Sequence, residues 1–240
     1  MVCRDSGCAL VPATGRGRGA SYAGPMPGTQ HPHDQSAYQV RLDWGVDGLE
    51  RLAPADVIVV VDVLRFSSTV IQAVERGETM ALDAAAHAVS LNGAAVAEVA
   101  AAGDAIVLLG GLRNAAAVAR AILDLQHQRG ARTSISVIAC GELASREQGA
   151  ALRFAVEDLL GAGAVIDAFA GLGIDHSSPE AAVAGEGFRS LRGAARHLLT
   201  ASASGRELED VGLRDQVLAA AAVDAASVVP VLRAGAFAAL

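Results

Sequence analysis

The chain has 240 residues, 52% of them hydrophobic and only 3% aromatic, with a formal net charge of −7. That length suffices for one domain with a substantial core, and the hydrophobic content exceeds what a disordered chain carries. With an acidic balance and no basic stripe, the composition excludes an ordinary nucleic-acid binder.

Residues 1–35 are rich in Gly, Pro, Ser, His and Arg without any period, and are expected to form a disordered N-terminal tail. His31 and His33 read there as solvated side chains, and Met26 is an alternative start to Met1. Residues 36–240 are expected to form a single α/β domain. Gln39 to Trp44 alternates and suits an edge strand. Val57-Ile58-Val59-Val60-Val61 is a continuous β-branched run, the pattern of a strand buried on both faces in a parallel sheet. It runs into Asp62 and Arg65, after which Ser67-Ser68-Thr69 opens a helix to about Arg76, closed by Gly77. Met80 to Leu82 suits a further strand, and Asn92-Gly93 the start of an alanine-rich helix to about Ala102.

Ile106 to Leu109 reads as a strand ending in Gly110-Gly111, with Asn114 capping a helix to about Gln128. Ile135 to Ala139 is the next strand and ends in Cys140-Gly141-Glu142. A long helix is expected from about Gly149 to Leu160 or beyond. Ser178-Pro179-Glu180 combines an N-cap hydroxyl, Pro at the first helical position and an early acid, so a helix starts there. Helices are expected over Ala181 to Leu199 and Leu213 to Ala222. Val228 to Leu232 reads as a last strand, with Pro230 placing it at a sheet edge or strand end. Strands alternating with helices imply an α/β fold, a mostly parallel sheet flanked by helices in three layers.

The segment Val57 to Thr69 carries the most chemical information. A buried strand delivers Asp62 to its C-terminal end, the edge at which open α/β sheets place ligands. Asp62 suits Mg²⁺ as a hard oxygen donor. Arg65 suits a phosphate or sulfonate, and Ser67, Ser68 and Thr69 meet a helix N-terminus that favours anions. The competing reading is a structural Asp62–Arg65 ion pair with Ser67 as an ordinary cap. Gly110-Gly111 with Asn114, and Asn92 with Gly93, are turns or places where backbone approaches a ligand. Cys140 is a nucleophile if its thiol is acidified, and otherwise an inert buried residue. Glu157 and Asp158, about 100° apart on a helix, offer a second metal ligand or a solvated face. His87, His127, His176 and His197 have no ligand spacing.

Several schemes are excluded. Since every basic residue is arginine, no lysine can form a Schiff base, and anions fall to Arg, backbone N–H groups, hydroxyls or a metal. Three cysteines without a C-x-x-C pair argue against a disulfide framework or zinc site. No apolar run reaches membrane-spanning length and no secretion signal is visible, so the expected location is cytoplasmic. Val63-Leu64 after Asp62 breaks the Asp-x-Asp phosphoryl-aspartate pattern, and Gly171-Leu172-Gly173 lacks the third glycine of a dinucleotide loop.

The order of segments nevertheless resembles one family. Val60-Val61-Asp62-Val63-Leu64-Arg65-Phe66-Ser67-Ser68-Thr69 resembles the Asp-Val-Leu-Arg-Ala-(Ser/Thr) signature of the 2-phosphosulfolactate phosphatases. Asn92-Gly93, Gly110 to Ala115, Cys140-Gly141, Arg153 to Asp158 with Gly161-Ala162-Gly163, Ser202 to Gly205, and Asp224 with Val229 to Leu232 resemble later family motifs in order. The chain is shorter than typical members between Leu82 and Asn92. The resemblance implies a Mg²⁺-dependent phosphatase that converts (2R)-2-phospho-3-sulfolactate to 3-sulfolactate in coenzyme M biosynthesis. It implies Asp62, Arg65, Glu157 and Asp158 as catalytic groups, with Asp62, Glu157 and Asp158 as metal ligands. Ser67, Ser68, Thr69, Asn92, Gly93, Asn114, Cys140 and Gly141 would contact the substrate, a small anionic organic phosphate. A phosphatase for another organic phosphate and a non-catalytic anion-binding relative are the alternatives. Chains of this size class often form homodimers.

Overall fold

The computed structural model describes residues 31–144 and 150–240. Residues 1–30 of the expected tail, and Gly149 as the expected start of a long helix, lie outside the described residues; the last part of that tail is ordered, with Pro32–Asp34 in a 3-10 turn and Gln35 buried against Leu42.

In chain order the strands and helices are β1 (Val40–Trp44), α1 (Gly45–Arg51), β2 (Val57–Val61), α2 (Phe66–Glu75), β3 (Met80–Ala81), α3 (Ala84–Val89), α4 (Leu91–Ala101) and β4 (Ile106–Leu109). Then come α5 (Ala115–Arg129), β5 (Ile135–Ala139), β6 (Glu142–Leu143), β7 (Leu152–Arg153), α6 (Val156–Gly171) and α7 (Pro179–Leu191). The chain closes with α8 (Ala195–Ala201), α9 (Ala203–Asp210), α10 (Arg214–Ala220), β8 (Pro230–Arg233) and β9 (Ala236–Ala239).

All five side chains of β2 are buried, as a run with no polar face requires. Val57, Val59 and Val61 point into a core shared with Val118 and Ile122 of α5 and Leu160 and Val165 of α6. Ile58 and Val60 point the other way, onto Phe66 and Val70 of α2 and Ala94 and Ala97 of α4. The period-two alternation of one strand thus feeds two helical layers, giving the expected three-layer α/β arrangement.

The seven-stranded sheet has the order β1-β5-β2-β4-β8-β9-β3. β1, β5, β2 and β4 are mutually parallel, while β8, β9 and β3 add antiparallel strands. The four parallel strands therefore end on one side of the sheet, at Trp44, Ala139, Val61 and Leu109. The expected edge strand is β1. Its outer edge is blunted by Gln35, whose amide accepts from Leu42 N and donates to Leu42 O at 3.1 and 2.9 Å.

The structure departs from expectation at several points. Residues 150–155 do not join a long helix. Leu152–Arg153 pairs with Glu142–Leu143 as an antiparallel hairpin, and the helix begins at Val156. Ser90, not Asn92, caps α4, its hydroxyl accepting from Asn92 N and Gly93 N at 3.2 and 3.0 Å. Of the two positions expected for Pro230, the structure has the strand end: Pro is the first residue of an interior strand, where the missing N–H costs no ladder bond. It is followed by β9, whose alanines give little strand signal. Phe237 anchors β9 by packing edge-on to Phe66 with ring centroids 5.9 Å apart.

Candidate functional site

Asp62 leaves β2 and turns back into the protein, with only 3% of its surface exposed. Its Oδ1 accepts from Phe66 N at 3.1 Å, and its Oδ2 accepts from the Ser90 hydroxyl at the cap of α4. The loop that holds it is braced by Ser67, whose Oγ accepts from Asp62 N at 3.0 Å and donates to Val60 O at 3.3 Å. Gly93 closes over the same carboxyl. A Cβ there would stand 2.8 Å from Phe66 Cβ and 2.9 Å from Asp62 Cβ, so only glycine fits.

Asp158 and Glu157 occupy the first turn of α6, where the helix dipole favours acids. Both are buried, which removes the solvated-face reading. Asp158 is a bracket between two strand ends: Oδ1 accepts from Val63 N at 2.7 Å and Oδ2 from Gly141 N at 2.9 Å. Gly141 in turn accepts at its carbonyl from Asn92 Nδ2 at 2.7 Å. Glu157 points elsewhere and accepts from the Ser204 hydroxyl in the first turn of α9. Among the described residues no arginine or histidine hydrogen-bonds or ion-pairs with Asp62, Glu157 or Asp158.

The electrostatics follow from that isolation. Burial pushes the Asp62 carboxyl above its ordinary value of 3.8, opposed by the donors Ser90, Phe66 and Gly93 and reinforced by Glu157. Burial, then the charges of Asp62 and Glu157, push Asp158 well above the same value. Glu142, at the base of the hairpin, is raised by partial burial and by Glu157 and Glu207, with Arg153 acting against them. Arg153 Nη1 lies 3.5 Å from Glu142 Oε2. Four acids, Asp62, Glu142, Glu157 and Asp158, thus gather on the C-terminal side of the sheet, with Arg153 beside Glu142.

The other expected site residues separate into groups. Asn92, Gly93 and Gly141 adjoin the acids, as described. Arg65 does not join Asp62: its Nη1 donates to Gln216 Oε1 at 2.9 Å. It lines a separate cavity of about 80 Å³ with Ser68, Thr69, Gln72 and Gln216. The Asp62–Arg65 ion pair is not formed either. Ser67 and Ser68 are buried, with hydroxyls committed to backbone, Ser68 Oγ donating to Val63 O at 2.8 Å. Asn114 stands at the cap position of α5 without capping it. Its Nδ2 donates to Leu109 O and Val228 O at 3.2 and 3.1 Å, tying β4 to the C-terminal segment. The N–H of Ala116 goes instead to Asp224 Oδ1 at 2.8 Å. Cys140 is fully buried, and burial, then Asp62 and Asp158, push its thiol well up. That direction is the opposite of the acidified thiol a nucleophile needs.

Ser90, Ser204, Glu142 and Arg153 complete the neighbourhood; Ser204 and Arg153 fall inside the family-like motifs, but none of the four was singled out as a site residue by the sequence. Ser90 could have been read as a cap from its place before Leu-Asn-Gly. Ser204 lies in the Ser-Ala-Ser-Gly segment, but nothing local points it at Glu157.

Divalent-cation chemistry can be tested against this donor set. Among the described residues no three His, Cys, Asp or Glu side chains form a finished metal cage. Asp62 and Glu157 do supply hard oxygens without a cationic partner, which fits Mg²⁺, an ion that binds through one or two carboxylates and keeps several waters. Asp158, like Asp62, has both oxygens hydrogen-bonded, but its donors are backbone N–H groups of two different loops, which suits it to hold those loops together.

No curated protein matches the chain at a significant level. A family model described as 2-phosphosulpholactate phosphatase matches residues 83–235. The matched span includes Asn92, Gly93, Asn114, Cys140, Gly141, Glu157 and Asp158, and begins after Asp62 and Arg65. The bracket from α6 to the ends of β2 and β5 and the Asn92–Gly141 link are built mostly from that span, and by it the chain belongs to the 2-phosphosulpholactate phosphatase family, a family of phosphoric monoester hydrolases.

Proposed function

We propose that the chain is a Mg²⁺-dependent phosphatase for a small organic phosphate, with (2R)-2-phospho-3-sulfolactate, the substrate in the family's name, as the reference compound. The observation that carries this reading is two buried carboxyls without a cationic partner among the described residues, Asp62 just beyond the end of β2 and Glu157 in the first turn of α6. Asp62 and Glu157 would hold the ion. When bound, Mg²⁺ supplies Lewis-acid polarisation of a phosphate oxygen and charge neutralisation.

The protein's own groups have separate tasks. Ser90 and Ser204 fix the two carboxylates by hydrogen bonds. Asp158 keeps the loops after β2 and β5 at a fixed separation. Arg153, at the rim beside Glu142, is the arginine best placed to meet a phosphate oxygen. In hydrolysis a water oxygen bonds to phosphorus, the phosphorus–oxygen bond to the alcohol breaks, and the alcohol leaves with a proton. Arg65 is left out of this step because it is engaged with Gln216 in a separate cavity.

The test is phosphate release with and without Mg²⁺, for the wild type and for Asp62→Asn. Metal-dependent release that falls at least about 100-fold in the variant is expected. Equal rates for the two proteins would remove Asp62 from the chemistry.

A further inference from the structure

Helix α2 buries Phe66, Val70, Ile71 and Val74 in the core. Arg65, Ser68, Thr69 and Gln72 recur at the i, i+3, i+4 and i+7 spacing of a single helix face. They line one cavity of about 80 Å³ together with Gln216 of α10. A water takes about 30 Å³ in the liquid, so the space suits one small anion and little besides. None of Asp62, Glu142, Glu157 and Asp158 lines it.

What these residues offer is hydrogen-bond donors. A guanidinium carries several N–H groups, and among the described residues that of Arg65 makes one hydrogen bond, from Nη1 to Gln216 Oε1 at 2.9 Å. Because that bond uses the amide oxygen, the Gln216 NH₂ remains a donor. Thr69 and Gln72 are half-buried, and among the described residues neither the hydroxyl nor the amide has a hydrogen-bond partner. Ser68 is already committed, its hydroxyl donating to Val63 O at 2.8 Å.

The geometry points to a site for a free tetrahedral oxyanion, inorganic phosphate or sulfate, held by Arg65 with Thr69, Gln72 and Gln216 and independent of any metal at the acid pair. The guanidinium supplies charge-assisted hydrogen bonds, the strong kind for such an anion, and the hydroxyl and amides serve its remaining oxygens. Partial burial leaves this attraction less screened by salt than a fully exposed one. No acid of the phosphatase site takes part, so the inference stands apart from that reading.

Calorimetric titration of the full chain with inorganic phosphate and with sulfate, in EDTA and with ionic strength held by NaCl, tests this. Saturable binding of both anions is expected. Arg65→Leu is expected to weaken it at least about tenfold. Gln72→Leu, which leaves the guanidinium in place, is expected to weaken it by about two- to tenfold, and it carries the test if the arginine variant fails to fold. Absence of saturable binding for either anion, or affinities in the folded variants equal to those of the wild type, would overturn the inference. So would binding that arises only once Mg²⁺ replaces EDTA, since the anion would then belong to the acid pair, with the phosphatase reading untouched.

Discussion

Glu157 and Asp158 are consecutive, both buried and both acidic, yet their partners assign them different work. Asp158 takes two backbone N–H groups from loops that follow different strands, so Asp158→Asn forces an amide NH₂ against one of those donors. A loss of roughly 1–3 kcal/mol is expected in urea denaturation. Glu157→Gln keeps an acceptor for Ser204 and is expected to change stability by less than about 1 kcal/mol while abolishing the Mg²⁺ dependence of phosphate release. The raised Asp62 and Asp158 carboxyls also set a pH dependence. Because their folded values lie above the ordinary 3.8, the native chain binds more protons than the unfolded one from that value upward. Stability in the absence of metal is therefore expected to fall as pH rises through this interval. Mg²⁺ should restore it most where the carboxyls are ionised. Thermal denaturation at pH 5 and pH 7.5, with and without Mg²⁺, checks this: a larger increase in Tm at pH 7.5 is expected, and equal increases would remove the carboxyls from cation binding.

The start of α4 is the element that joins fold to site. Ser90 satisfies the free N–H groups of Asn92 and Gly93 and reaches Asp62 with the same hydroxyl. Ser90→Ala is expected to cost about 0.5–2 kcal/mol as a lost cap, and to lower activity further because Asp62 loses the donor that orients it. Gly93→Ala places a methyl against Phe66 and Asp62. It is expected to destabilise by about 1–3 kcal/mol and to weaken Mg²⁺ affinity, measurable by calorimetry. After β4, on the same side of the sheet, Asp224 caps α5 from a distance of over one hundred residues in sequence. The residue at the sequence-local cap position, Asn114, is used to tie strands together. Caps in this protein are thus decided by which side chains the topology delivers.

At the scale of the whole molecule, one side of a mixed sheet gathers the ends of β1, β5, β2 and β4, and with them every acid of the site. The sequence alone determined the parallel core, because five β-branched residues without a polar face are stable only when covered on both sides. It also determined the helix at Ser178-Pro179, whose cap, φ constraint and early acid are local, and it placed Asp62 at a strand end. The family motifs in order were legible too, since they are short runs of neighbouring residues. Tertiary structure alone decided that Asp62 turns inward while Arg65, three residues on, faces Gln216. It decided that Asp158 brackets two loops and that Cys140 is fully buried. It joined Ser90 and Ser204 to the carboxyls. Propensity and capping act over a few residues and can be read along the chain. The direction of a side chain at a loop, and the company a buried charge keeps, depend on which distant segments pack around it.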